Sequence, residues 1–396
     1  MEEQKSLDRN IHIDFSWAIT KVSSILRINF TNQSRKTFII NGMVTFFLFC
    51  VGIYTVSYNM RVTFAKKHTS LEIATQLLIV IWAVQSLVSV IFFVYWQTHG
   101  HLAHFQEILG ECQRLRGVQQ GYGKLRKNNV VFLITIVFEL VVTFAFSFKY
   151  HYEEVHTEFA ELQGYMFYYP LLRPIYTIVT TYLYLVWTCS LFLLITYVNA
   201  MWLEVRYFNQ VTSQMDGSAD KIDEKLLRHF ETYGQLLSAI RKLDEIFRLY
   251  VFLMIVMAVP SMIFTLMMMN GRIRSVMDLM ICLPSIALCV FGFISVTVSP
   301  ARLHDEISQA KSYLCENKSL WLPFRPEVYL IGNTMATHMD QDDLGVTIWG
   351  FAVLSRPLIL ATLSATAMML SLLTELAPKS DLFMETVTPE HHHYDL

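Results

Sequence analysis

Charged residues are scarce in this 396-residue sequence, where Asp, Glu, Lys and Arg occupy 16% of the positions, against about 25% in an average soluble domain. A helix needs roughly 20 apolar residues to cross a bilayer. Uncharged stretches that approach or exceed this length lie at 37–60, 73–106, 128–138 (continuing past Glu139 to 148), 174–203, 249–271, 279–301 and 357–374 (extending back past Arg356 to 344). They lack the period-two alternation of membrane β-strands. We therefore predict an all-α membrane protein with seven transmembrane helices.

Sequence motifs of enzyme chemistry are also missing. The sequence has no Gly-rich phosphate loop, no His-Glu-x-x-His zinc pattern and no nucleophile elbow. The histidines at 391–393 fall in a tail without ordered partner residues, so we predict no metal site. We expect no enzyme activity, no cofactor and no nucleic-acid partner, and we expect membrane lipid around the helices.

Lysine and arginine are distributed unevenly between the seven stretches. One side of the predicted membrane carries 22 of the 31 basic residues and the other side six. Because basic loops stay in the cytoplasm, we predict a cytoplasmic N-terminus and an extracellular C-terminus in a multi-pass plasma-membrane protein. The predicted parts are a cytoplasmic segment at 1–36, a seven-helix chemoreceptor-like domain at 37–374 and an extracellular tail at 375–396.

Two further observations bear on this orientation. None of the six cysteines falls in a predicted external segment, so we expect no structural disulfide. Three glycosylation sequons, which begin at Asn29, Asn32 and Asn317, fall on the predicted cytoplasmic side and argue against the orientation. Such tripeptides occur often by chance, so we give the basic residues more weight.

Residues 220–248 have the pattern of an amphipathic helix that continues into the fifth span. Leu226, Phe230, Tyr233, Leu237 and Ile240 recur at helical spacing, while the charged residues fall mostly elsewhere. The fourth span is about 30 residues long, or roughly 45 Å, more than the bilayer needs. We therefore predict that both helices protrude into the cytoplasm and pack together.

This combination of features resembles the insect gustatory and odorant receptor superfamily, together with its gustatory-receptor-like and nematode serpentine class-r relatives. The resemblance lies in seven spans, an inside N-terminus, the segment 229–247 that leads into span 5, and a last span of apolar and small residues. The gustatory receptors end that span with Thr-Tyr, five apolar residues and Gln-Phe. At this spacing the chain has Ser355-Arg356, five apolar residues and Thr362-Leu363, which makes it a divergent member.

The resemblance implies a function and an assembly. Proteins with this fold are tetrameric ligand-gated cation channels in which the last span lines the pore and cytoplasmic helix extensions join the subunits. Spans 2 to 6 enclose a ligand pocket in the outer leaflet. We therefore expect a gustatory-receptor-like subunit of a homo- or heterotetramer that detects a small molecule.

Aromatic residues in the outer half of the spans are candidates for that pocket. Apolar cavities that contain a few hydroxyl groups suit small organic ligands. Tyr176, Tyr182, Phe146 and Phe264 lie deeper than an interfacial aromatic belt requires. We predict them as ligand-binding residues, although most intramembrane aromatic residues simply pack.

Two charged residues within the spans are candidates for gating. A charge at the bilayer centre costs roughly 2.5–3.5 kcal/mol and normally faces a partner or water. Glu139 lies near the middle of span 3 and Arg356 a little over a third of the way into span 7. Because a ring of arginines in a pore would repel cations, we predict that Arg356 points into its own bundle and pairs, with Glu139 as the candidate partner. Ser355 and Thr362 complete the predicted pore and gating residues.

Two other functional classes remain open. A G-protein-coupled receptor would need an extracellular N-terminus, which tags at the two ends would reveal. A small-molecule transporter usually has inverted repeats and paired broken helices, and the prolines at 174, 260, 284 and 357 show no such matching halves.

Overall fold

The computed structural model describes residues 16–31, 33–65, 70–116, 123–152, 173–272, 276–341 and 343–376. Helices dominate this part of the chain, and one small antiparallel hairpin interrupts them. The helices are α1 (Trp17–Ile25), α2 (Arg35–Ala65), α3 (Ser70–Thr98), α4 (His101–Arg116), α5 (Gly123–Tyr152), α6 (Arg173–Ser213), α7 (Ile222–Arg272), α8 (Val276–Ser308), α9 (Ala310–Glu316), α10 (Lys318–Trp321), α11 (Pro326–His338) and α12 (Arg356–Leu376). The hairpin joins β1 (Thr347–Ile348) to β2 (Ala352–Val353).

Seven of these helices are long and apolar enough to cross a membrane, namely α2, α3, α5, α6, α7, α8 and α12. Each corresponds to one apolar stretch of the sequence, because a helix satisfies its backbone hydrogen bonds internally and tolerates lipid around it. The predicted all-α fold with seven membrane-crossing helices is confirmed.

Helix α6 is the centre of the bundle. Of its most apolar window, 72% of the residues are buried, the highest share among the seven spans. Helices α2, α3, α5, α7 and α8 all pack against it. The main core follows its length through fully buried side chains such as Val186, Leu194, Val198 and Met201.

Helices α6 and α7 extend far beyond the membrane, as the sequence predicts. With 41 and 51 residues, they are about 62 and 76 Å long, whereas the hydrocarbon layer measures about 30 Å. Their extensions pair through the stacked rings of Phe208 and His229, 4.0 Å apart, and through a 2.7 Å hydrogen bond between Thr212 and His229. We call this end of the molecule, where α4, α11 and most lysines and arginines lie, the basic end.

The structure corrects two predicted boundaries at the basic end. The apolar stretch 73–106 is not one helix, because Gly100 has φ +67° and separates α3 from α4 in the left-handed conformation that ends helices. Residues 344–355 do not extend the last span either. They form the β-hairpin, and α12 begins at Arg356, with Pro357 in its first turn, where a missing N–H costs nothing.

Candidate ligand cavity and the start of the last span

A small cavity lies between four helices near the middle of their apolar stretches. Its walls come from α3, α6, α7 and α8, and its volume is about 10 Å³, close to the minimum that one water molecule requires. An organic ligand therefore needs neighbouring side chains to move aside. The lining residues are Trp82, Gln85, Trp187, Leu191, Met254, Ala258, Ser261, Leu288, Cys289, Gly292, Phe293 and Val296.

A glycine brings two of these walls together. A Cβ atom added at Gly292 of α8 would lie 3.0 Å from Cζ2 of Trp187 on α6, closer than ordinary van der Waals contact. The absence of a side chain at Gly292 therefore leaves room for the indole of Trp187 against α8. Trp187 also packs edge-on against Phe291, with ring centroids 6.3 Å apart.

Two polar groups of the cavity have no hydrogen-bond partner among the described residues. They are the indole N–H of Trp187 and the hydroxyl of Ser261. Buried polar groups are nearly always paired, so each unpaired one requires an explanation. Among the described residues, the hydroxyl of Ser295 on α8 is also buried without a partner. The cavity thus combines a mostly apolar lining with unpaired hydrogen-bonding groups and the polar side chain of Gln85.

A second apolar cluster lies next to the cavity, on the side away from the basic end. It consists of Leu78, Trp82, Met268, Cys282 and Cys289. Trp82 and Cys289 belong to both the cluster and the cavity wall. Movement in this cluster would therefore change the room available to a ligand.

The structure brings one of the four predicted ligand residues close to the cavity. Phe264 packs against the apolar cluster. Tyr182 lies buried in the main core, and Tyr176 is half-buried near the start of α6; neither lines the cavity. Phe146 belongs to α5, and its side chain lies outside the described residues.

Sequence reasoning missed the residues that do line the cavity. Trp82 and Trp187 are tryptophans in the middle of apolar stretches, where an N–H group needs a partner, and this signal was available. Nothing in the sequence marks Gly292 or Ser261 as a cavity residue, because the helix that faces each of them is decided by the tertiary packing.

Glu139 and Arg356 do not form the predicted pair in the structure. Glu139 is buried, at 5% exposure, and one of its carboxyl oxygens accepts a hydrogen bond from Thr188 of α6. Its other oxygen is buried and has no hydrogen-bond partner in the described part of the chain. The acidic side chain thus joins α5 to the central helix, and its placement leaves the predicted role in gating untested.

Arg356 pairs with α8 instead. Its Nε lies 2.5 Å from Oδ2 of Asp305, and the arginine side chain is 73% exposed. The physical reason for the misplacement is the hairpin, whose apolar residues lengthen the apparent span and shift Arg356 toward its middle. In the structure the arginine stands at the first residue of α12, where it reaches the end of α8.

The hairpin before α12 is fastened to α7 and α8 by hydrogen bonds. Asp244 of α7 accepts two through Oδ1, from the backbone N–H of Thr347 at 2.6 Å and from its hydroxyl at 2.7 Å. Nδ1 of His304 on α8 lies 3.0 Å from the carbonyl oxygen of Leu344. Helices that line the cavity therefore also hold the segment from which the last span starts.

Helix α12 itself is mostly uncovered. Only 6% of its most apolar window is buried, and its covered face, which includes Thr362 and the buried Thr366, packs against α7. Thr362 is part-buried and bonds its own helix backbone at Leu358, and Ser355 is half-buried just before the helix. The exposed face carries Ser364 instead, which the sequence reasoning did not select.

A larger hollow of about 540 Å³ lies at the basic end, between α4, α6 and α7. Charged side chains such as Glu204, Asp216, Lys225 and Arg228 line it, so it does not suit an apolar ligand. Cys112 lines it as well, and burial raises the pKa of this thiol to about 12, which excludes a reactive thiolate at neutral pH.

This architecture defines a seven-helix membrane protein with the fold of the insect odorant receptors. The chain is similar to two solved structures of the olfactory receptor OR5 from Machilis hrabei, one of them in complex with eugenol. The complex matches with a TM-score of 0.55 and the other structure with 0.57. Each match has 9% sequence identity and covers 90% of this chain and 97% of the receptor.

The similarity is carried by the fold. No protein-family model matches the sequence, and no curated protein matches it either. The resemblance drawn from the sequence is therefore supported by three-dimensional structure, which persists at identities where sequence comparison loses its signal.

Proposed function

We propose that this protein is a chemosensory receptor of the gustatory-receptor-like type, a subunit of a ligand-gated cation channel that responds to a small molecule. One observation carries the proposal. The cavity with unpaired polar groups is walled in part by α7 and α8, and the same two helices hold the start of α12 through Asp244, His304 and Asp305.

The chemistry of the cavity indicates the kind of ligand. Most of its lining is apolar or aromatic, and the unpaired Trp187 N–H can only donate a hydrogen bond. We therefore propose a small apolar or aromatic molecule that carries a hydrogen-bond acceptor. The OR5 structure with eugenol contains a ligand of this class.

The exposure of α12 supports an assembly of several subunits. An apolar helix packed along one face only leaves a broad surface for other copies of the chain or for lipid. We propose a homo- or heterotetramer in the plasma membrane in which α12 borders the pore. Arg356, held by Asp305 at the helix start, would then stand at the entrance to the pore instead of within it.

Two observations support a cytoplasmic basic end. The uneven distribution of lysine and arginine favours it, and two of the three sequons that argue against it cannot accept a glycan in the folded chain. The side-chain amide of Asn317 donates to the carbonyl oxygens of Thr212 and Met215, both at 2.8 Å, and Asn29 is buried at 7% exposure.

Ligand binding would open the channel by favouring one of two arrangements of α7 and α8. A ligand that needs Trp187 and its neighbours to move binds only the arrangement in which they have moved. Because Asp244 and Asp305 connect these helices to the hairpin and α12, the movement would change the position of the last span.

The test is whole-cell recording from cells that express the full chain, during application of a panel of small aromatic and aliphatic molecules. We expect a cation current in response to at least one of them, and a changed concentration dependence in the Gly292→Val variant, which fills the space beside Trp187. A matched control is Gly234→Ala on α7, where an added Cβ meets nothing within 4 Å.

The competing classes give different results. A tag before Met1 that is reached by antibody on intact cells would indicate a G-protein-coupled receptor topology and contradict the proposal. Saturable uptake of a responsive ligand without current would indicate a transporter.

A further inference from the structure

Two arginines of different helices share one tryptophan at the basic end. The guanidinium carbon of Arg206 lies 5.1 Å from the ring centroid of Trp202, and that of Arg302 lies 4.6 Å from the same ring. Trp202 and Arg206 belong to α6, and Arg302 belongs to α8. The indole therefore positions both guanidinium groups by cation–π attraction.

Neither guanidinium forms an ion pair with a carboxylate in the part of the chain that the structure describes. A helical partner for Arg302 exists four residues later, at Glu306. That carboxylate instead accepts a hydrogen bond from Asn209 at 3.1 Å, and the same amide nitrogen lies 2.8 Å from the Glu306 carbonyl oxygen. The Glu306 carboxylate is thus engaged by Asn209, and among the described residues both guanidinium groups lack an ion-pair partner.

The position of this group coincides with a membrane boundary. The apolar stretch of α6 ends at residue 203, and that of α8 ends at residue 301. Trp202 and Arg302 lie within one residue of these ends, and Arg206 follows one turn further along α6. Tryptophan favours the headgroup level of a bilayer, and Arg302 is exposed there.

We propose that Arg206, Trp202 and Arg302 form a binding site for the phosphate of an anionic phospholipid in the leaflet at the basic end. Two guanidinium groups supply planar, forked donors that match phosphate oxygens. The indole holds the arginines at headgroup depth while the lipid chains lie along the apolar surfaces of α6 and α8. The inner leaflet of cell membranes is rich in such lipids, which agrees with a cytoplasmic basic end.

This site is independent of ion conduction, because lipid binding can be measured on the purified protein without any agonist. Full-length protein in neutral detergent is mixed with phosphatidylserine or phosphatidylcholine, and the bound lipids are counted by native mass spectrometry. We expect retained phosphatidylserine and weaker binding of phosphatidylcholine, whose headgroup carries no net charge.

The variant R206Q/R302Q removes both guanidinium groups. We expect each of the two arginines that contact the phosphate to strengthen the binding of the lipid by about five-fold, so the double variant should bind phosphatidylserine about 25-fold more weakly. The conservative variant R206K/R302K keeps the charge and loses the planar forks, so its loss should be smaller. If the double variant does not fold, R302Q at the exposed arginine gives the same comparison with about a five-fold loss.

The matched control is R248Q. Arg248 is exposed and directly precedes the apolar stretch of α7, so this change removes the same charge at the same boundary. We expect phosphatidylserine binding close to that of the unchanged protein. An equal loss in R248Q, or full binding in R206Q/R302Q, would overturn the proposal.

A competition experiment distinguishes a lipid ligand from a soluble phosphate compound. Inorganic phosphate and inositol hexakisphosphate are added as competitors at rising concentrations. We expect neither to displace phosphatidylserine at concentrations equal to that of the lipid. Displacement at equal concentration would assign the arginines to a soluble anion and overturn the lipid site.

Discussion

Helices α6 and α12 are both apolar spans, yet they occupy opposite environments in the protein. Their mean hydropathies are 2.0 and 1.5, whereas 72% of the α6 window and 6% of the α12 window are buried. Hydropathy reports only that a helix is compatible with hydrocarbon. It does not report whether its neighbours are lipid or other helices, because both are equally apolar.

Under the proposed function, the difference in burial between α6 and α12 indicates which of the two helices can move. Helix α6 contacts most other spans and carries part of the cavity wall. We therefore expect it to keep its position when the other helices move. Helix α12 is attached along one face and at its first turn. A helix held in this way can change position without disrupting the core.

The largest expected effect comes from shortening a fully buried side chain of α6. Leu194 of α6 is fully buried, and Leu194→Ala should lower the free energy of unfolding by about 2–5 kcal/mol. The matched change Leu360→Ala on α12, where the side chain is 64% exposed, should cost less than about 1 kcal/mol. Thermal unfolding of the two purified variants in detergent measures the difference, and equal losses would remove the contrast between the helices.

The next effect concerns the attachment of α12 to α7. In Asp244→Asn both bonds to Thr347 lose the contribution of a charged acceptor, about 1–2 kcal/mol in total. We expect about a ten-fold shift in the agonist concentration for half-maximal current, with unchanged surface expression. The control Glu231→Gln removes an exposed charge from the same helix, and a shift of similar size in that variant would contradict the attachment.

A smaller effect is expected inside the cavity. Ser261→Ala and Trp187→Phe each remove one unpaired polar group, so a ligand that bonds to either group loses about 0.5–1.5 kcal/mol. The agonist concentration for half-maximal current should rise about two- to ten-fold in at least one variant. Ser213→Ala, at the exposed end of α6, should leave it unchanged, and unchanged responses in all three would place the ligand elsewhere.

The smallest effect belongs to the first residue of α12. In the pair of Arg356 and Asp305 the arginine side chain is 73% exposed and the aspartate side chain 24%, and ion pairs that solvent reaches contribute about 0–1 kcal/mol. Arg356→Gln should therefore shift gating by no more than about five-fold and should not reverse the preference for cations. Asp305→Asn and the double variant complete a cycle that isolates the pair, and reversal potentials in cation and anion gradients measure selectivity. A change to anion preference would show that the arginine faces the pore.

The mixed success of the site predictions has a physical cause. Glu139 is buried within its span, but its partner is the hydroxyl of Thr188 and not Arg356. A local pattern identifies a group that needs a partner, and only the fold decides which partner is in reach. Arg356 was predicted too deep in the membrane because the apolar residues of the hairpin were counted as part of the last span. In the structure Gly345 and Gly350 have positive φ, and the segment turns back as a hairpin instead of continuing as a helix.

The sequence by itself determined the seven spans and the long extensions of α6 and α7, because length and apolar periodicity act along one helix and need no neighbour. The tertiary structure alone decided that α6 is central and α12 exposed, and that Trp187 and Ser261 share a cavity. It alone placed Arg206 and Arg302 on one indole. These outcomes depend on which helix faces meet, and packing between residues far apart in the sequence decides that.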